Sequence, residues 1–199
     1  MHLYFVGDSY VNGYGDDTCV GWPARVCAMA AQRNLDVTCY NLGFRGATTV
    51  DLRRWWKDEV QRRVGAEKHA AVVFSFGTND CAVESGRRKI TRGETAGNAR
   101  GILGDAAARF PVLMVGPAES VDPEKHPELG DTNADLKNVC EKLKIPYLDM
   151  LDIGKTMNNP RAKSRGIDGW HPNTAWYEEL AVIVDSWPAW RAVLDKLRG

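Results

Sequence analysis

Short apolar runs exchange regularly with longer amphipathic ones along this chain. Leu3–Gly7, Val37–Leu42, Ala70–Phe76, Val112–Val115 and Pro146–Leu148 read as strands. Trp22–Gln32, Thr49–Val64, Glu94–Arg109, Asp131–Lys144, Thr174–Asp185 and Trp190–Leu197 read as helices. In the second helix, Leu52, Trp55, Trp56, Val60 and Val64 recur at three- and four-residue spacings, so they share a face. Asp131 or Thr132 is placed to cap the fourth helix, and Gly97, Gly101 and Gly104 weaken the third. Ala70–Phe76 is apolar almost throughout, as suits a parallel strand covered on both faces. Strict alternation predicts an α/β fold: a five-stranded parallel sheet with right-handed crossovers inside a three-layer α/β/α sandwich, in the flavodoxin-like order 2-1-3-4-5. At 199 residues the chain suits a single domain spanning 1–199.

The 26 basic and 26 acidic residues cancel, which gives no electrostatic reason to expect nucleic acid or an anionic membrane as partner. No apolar run approaches the length of a membrane span. No secretory signal pattern follows Met1, and the five cysteines are odd in number with no CxxC pair, so neither zinc nor a disulfide framework is expected. A cytoplasmic protein with reduced cysteines is the economical expectation.

In sheets of this kind, ligands bind beyond the carboxyl ends of the strands, where the strand order reverses. Gly7-Asp8-Ser9-Tyr10 follows the first strand, Asn41-Leu42-Gly43-Phe44-Arg45-Gly46 the second and Gly77-Thr78-Asn79-Asp80 the third. Asp168-Gly169-Trp170-His171-Pro172-Asn173 comes some way after the fifth. A serine hydroxyl needs a neighbouring base to become a nucleophile, and the base needs a carboxylate to hold its tautomer. Ser9, His171 and Asp168 supply these types, and Asp168 is close enough in sequence to reach the ring from the same turn. A developing oxyanion needs fixed donors. The candidates are the backbone N–H groups of Ser9 and Gly43 and the side-chain amide of Asn79.

These segments, in this order, resemble the SGNH (GDSL) hydrolase family. Gly7-Asp8-Ser9 matches its first block and Gly43 the glycine of its second; Gly77-Thr78-Asn79-Asp80 matches G-x-N-D, and Asp168-Gly169-Trp170-His171 matches D-x-x-H. Tyr10 stands where the family's name has leucine, a departure that bears on pocket shape. The resemblance runs from the first strand to the start of the last helical region. It implies the family's three-layer fold and ester hydrolysis without metal or cofactor.

Each residue also has a plainer reading. Ser9 can cap the segment after its strand. Asp168 can be a turn cap that leaves a backbone carbonyl to orient His171, and Asn79 suits a turn. Asp8 and Asp80 read as structural, bonding nearby backbone N–H groups. His2, His69 and His126 have no partner at a useful spacing, and Gly13-Tyr14-Gly15 is a weak glycine signal. Position 11 is Val, so the G-x-S-x-G elbow of the α/β-hydrolases is missing.

The expectation is therefore a serine esterase acting on small, short-acyl carboxylic esters through an acyl-enzyme on Ser9. Tyr10, Tyr14, Phe44 and Trp170 are its substrate-pocket candidates, and a small-molecule ester is its partner. A thioesterase or acyltransferase using the same site is the alternative, followed by a non-catalytic ligand-binding module. Oligomeric state is not legible.

Overall fold

The first strand, β1 (His2–Gly7), divides its side chains between two cores. Leu3 and Phe5 enter one apolar cluster, Tyr4 and Val6 the other, and all four are fully buried. That is the period-two geometry of a strand covered on both faces. The computed structural model describes residues 1–65 and 69–198. After β1 come α1 (Ser9–Asn12), α2 (Gly21–Gln32), β2 (Thr38–Gly43), α3 (Thr49–Val64) and β3 (Ala70–Ser75). A small antiparallel hairpin, β4 (Val83–Glu84) and β5 (Arg87–Arg88), precedes α4 (Arg92–Ala107) and β6 (Val112–Val115). The chain closes with α5 (Leu129–Leu143), β7 (Tyr147–Leu148), α6 (Met150–Gly154), α7 (Thr174–Ser186) and α8 (Pro188–Arg198).

The main sheet is parallel, in the order β2-β1-β3-β6-β7. With the hairpin set aside this is the expected flavodoxin-like order. Helices α2, α7 and α8 cover one face around Trp22, Trp176 and Trp190. Helices α3, α4 and α5 cover the other around Trp56, Ile102 and Leu136. Burying a large apolar side chain contributes about 1.5–3 kcal/mol, and at Trp22 and Trp190 the indole N–H groups, buried with no hydrogen-bond partner among the described residues, offset part of it. Capping boxes start α3 (Thr48 with Asp51) and α4 (Thr91 with Glu94), each worth about 1 kcal/mol. The second box lets α4 form despite its glycines.

Helix α5 is not capped by Asp131 or Thr132. The helix begins at Leu129, its N-cap is Glu128, and the Thr132 hydroxyl donates back to the Glu128 carbonyl at 2.9 Å. All five cysteines are free thiols, and no His/Cys/Asp/Glu cluster able to hold a metal occurs among the described residues. No described helix is long and apolar enough to cross a membrane.

Candidate active site

The parallel register ends with Gly7 beside Gly43 on one side and Ser75 on the other, so the segments after β1, β2 and β3 leave the sheet together. A Cβ on Gly7 would lie 1.9 Å from the Ser75 carbonyl oxygen, so only glycine passes here. Asp8 then caps the short helix α1, its Oδ1 accepting from the Tyr10 N–H at 2.9 Å. This places Ser9 as the first residue of α1, where its own N–H has no partner within the helix.

His171 arrives from the other end of the chain. Its Nε2 lies 2.9 Å from Ser9 Oγ, and its Nδ1 lies 2.6 Å from Asp168 Oδ2. The other Asp168 oxygen accepts the backbone N–H groups of Trp170 at 3.0 Å and His171 at 2.9 Å. Asp168 therefore fixes the turn and the ring at once. Burial alone would raise its carboxyl, but these bonds and the facing imidazole hold it down at about 2. Burial pushes the His171 imidazole below its ordinary value, opposed by Asp168 and reinforced by the cationic Arg161 and Arg45. A neutral imidazole facing a serine hydroxyl can take its proton; an imidazolium cannot.

Asn79 lines the same cleft of about 300 Å³ as Ser9 and His171. One hydrogen of its amide goes to the Ala47 carbonyl at 3.0 Å, which leaves the second for a ligand. Tyr10 and Trp170 also line this cleft. Tyr14 meets His171 edge-on, with ring centroids 4.7 Å apart. Phe44 is not brought in: it is 64% exposed and lines a separate groove of about 590 Å³ beside Trp55 on α3. That groove holds neither Ser9 nor His171.

Gly43 departs from its expected role as an oxyanion donor. Its N–H donates to Asn41 Oδ1 at 3.0 Å and is not free to bind an oxyanion. A Cβ there would sit 2.1 Å from the Asn12 backbone nitrogen, so Gly43 is glycine because α1 lies directly against the end of β2.

Asp8 and Asp80 do bond backbone N–H groups, as their sequence reading had it. Asp80 Oδ2 accepts from Thr49 N–H at 2.9 Å and Oδ1 from the Thr95 hydroxyl at 3.1 Å. Burial, with Asp80 nearby, lifts Asp8 to about 7 in spite of the Tyr10 N–H bond.

Three groups were not legible in the sequence. Gly15 lets the histidine turn close in, since a Cβ there would stand 2.9 Å from His171 Cβ. Arg45 lies over the Tyr14 ring, 3.3 Å from its centroid. His126, read as incidental, lines the cleft with its Nδ1 2.7 Å from Ser120 Oγ. The close spacing of Gly13, Tyr14 and Gly15 was the one visible hint.

The sequence matches the GDSL-like lipase/acylhydrolase family over residues 5–179. No curated protein matches it. Among solved structures, a lipase/acylhydrolase from Enterococcus faecalis is 21% identical, with a TM-score of 0.79 over 98% of this chain and 96% of that one. An acetylxylan esterase from Geobacillus stearothermophilus is 18% identical, with a TM-score of 0.73 over 97% and 93%. A further acetyl xylan esterase is 19% identical, with a TM-score of 0.73 over 92% and 96%. At these identities the structural likeness shows a shared fold. The family match spans most of the chain, and on it this protein belongs to the GDSL-like lipase/acylhydrolase family and is a carboxylic ester hydrolase.

Proposed function

We propose that the protein hydrolyses short-acyl esters through an acyl-enzyme on Ser9. The observation that carries this reading is the continuous line Asp168 Oδ2, His171 Nδ1, His171 Nε2, Ser9 Oγ, with its two gaps at 2.6 and 2.9 Å. In the first step the Ser9 hydroxyl proton passes to His171 Nε2 as Oγ bonds to the ester carbonyl carbon. The bond to the alcohol oxygen then breaks, and His171 returns the proton to that oxygen. Water repeats the sequence and frees the acid and Ser9. Asp168 holds the imidazole's orientation and stabilises its cationic form.

The oxyanion is received by the Ser9 N–H and the second amide hydrogen of Asn79. With Gly43 engaged by Asn41, a third backbone donor would come from Gly46 on the same turn. Gly46 precedes Ala47, whose carbonyl is held by Asn79, and its own N–H has no hydrogen-bond partner among the described residues.

The short-acyl preference rests on the size of the cleft and on Tyr10 and Trp170 in its walls. Two proteins of like fold act on acetyl groups of xylan, according to their names, which is consistent with a small acyl group here. The test is hydrolysis of p-nitrophenyl acetate, butyrate and octanoate. The expected result is kcat/KM highest for acetate and lowest for octanoate. A steady rise with acyl length refutes the preference.

A further inference from the structure

Arg161, on the long loop between α6 and α7, is 1% exposed. Its Nη1 donates to the Ser164 carbonyl at 2.9 Å, Nη2 donates to the Trp170 carbonyl, and Nε faces the Tyr10 hydroxyl at 3.3 Å. No carboxylate lies within ion-pair distance of it among the described residues. A buried guanidinium without an anion is costly, and an apolar side chain of similar volume fills space at a lower cost. What only arginine offers is a rigid fork that reaches several acceptors at once.

Its acceptors are not arbitrary. Ser164 lies before the turn that carries Asp168 and His171. Trp170 shares a peptide bond with His171. Tyr10 follows Ser9 in α1.

We propose that Arg161 is the positioning residue of the catalytic base: it ties Ser164, ahead of the Asp168–His171 turn, and Trp170, within it, to Tyr10 and so sets the distance from His171 to Ser9. This rests on the reading of His171 as the base for Ser9. The cation also acts on the ring. The charged and titratable groups facing His171 are Asp168 on its own turn, Arg161 on the preceding loop, Arg45 on the turn after β2, and Tyr10 and Tyr14 around α1. Lys125 and His126, with Glu84 and Lys89, stand across the cleft. Among these, Arg161 and Arg45 oppose protonation of the imidazole and Asp168 favours it.

Arg161→Met and Arg161→Lys, with wild type and Ser9→Ala as references, test the proposal. Two readouts are used: kcat and KM for p-nitrophenyl acetate, and the NMR titration of His171 in the Ser9→Ala background. Arg161→Met is expected to lower kcat about 10- to 100-fold, through misplacement of the base, with KM within about threefold of wild type. Its His171 midpoint should rise by about 0.5–1 pH, because a nearby cation has gone. Arg161→Lys keeps the charge and loses the fork, so kcat should fall while the midpoint stays near that of the wild type. A folded Arg161→Met with kcat within about twofold of wild type and an unmoved midpoint overturns the proposal. Failure of both variants to fold overturns it too, because the residue then serves the fold and not the base. If the wild type shows no Ser9-dependent hydrolysis, the ester-hydrolase mechanism fails on its own, and the NMR midpoints still decide whether Arg161 governs His171.

Discussion

Asp168 grips His171 from two sides: one carboxylate oxygen accepts the backbone N–H at 2.9 Å, and the other faces ring Nδ1 at 2.6 Å. The residue that orients the imidazole therefore also builds the turn that presents it. Substituting asparagine keeps an acceptor for the backbone and removes the negative charge that stabilises the imidazolium. Asp168→Asn should fold normally and lose about 10²–10⁴ in kcat, judging from the equivalent change in other serine hydrolases. Steady-state kinetics alongside a thermal melt would check this, and an unchanged kcat would return Asp168 to the status of a turn cap.

The pH profile follows from the environment of His171. Burial, Arg161 and Arg45 lower its pKa from the ordinary histidine value, and Asp168 offsets only part of this. The base is active when neutral, so kcat/KM should be flat above the midpoint and fall as pH drops through it. The midpoint should lie below about 6.5. Asp168 stays ionised through this range, since its carboxyl sits at about 2. A pH–rate profile with chemistry rate-limiting measures the midpoint directly, and one well above 6.5 would contradict the account of the ring's surroundings.

Asn79 is anchored by one amide hydrogen on the Ala47 carbonyl, so its second hydrogen is aimed and not free to wander. Asn79→Ala should cost about 10²–10³ in kcat, the usual loss for an oxyanion donor, with little change in KM. A loss smaller than a few-fold would take Asn79 out of the oxyanion hole.

The strands β1, β3 and β6 were legible because a strand buried on both faces leaves an unmistakable apolar run, and α3 was readable to the residue because its tryptophans and valines keep a helical period. The shorter elements α1, α6 and the β4–β5 hairpin span too few residues to show any period. Ser9, Asn79, Asp168 and His171 stood out because each follows a strand or ends a glycine-bearing turn. Gly43 stood out for the same reason, but its N–H is taken by Asn41 and its missing side chain serves the packing of α1. Whether a backbone donor is already spent depends on a neighbour's rotamer, which no spacing rule reports. Arg161 was invisible for a related reason, and Gly15 showed only as part of a closely spaced glycine pair. Arg161 matters by joining the His171 turn to Tyr10, and Gly15 by its close approach to His171, contacts between opposite ends of the chain.

That Ser9 carries the acyl group is tested by p-nitrophenyl acetate hydrolysis by the wild type and by Ser9→Ala at matched concentration. The wild type should turn over, and Ser9→Ala should run at the uncatalysed background. Equal rates from the two proteins would contradict that role of Ser9, and would leave the aligned Asp168, His171 and Ser9 without a part in the chemistry.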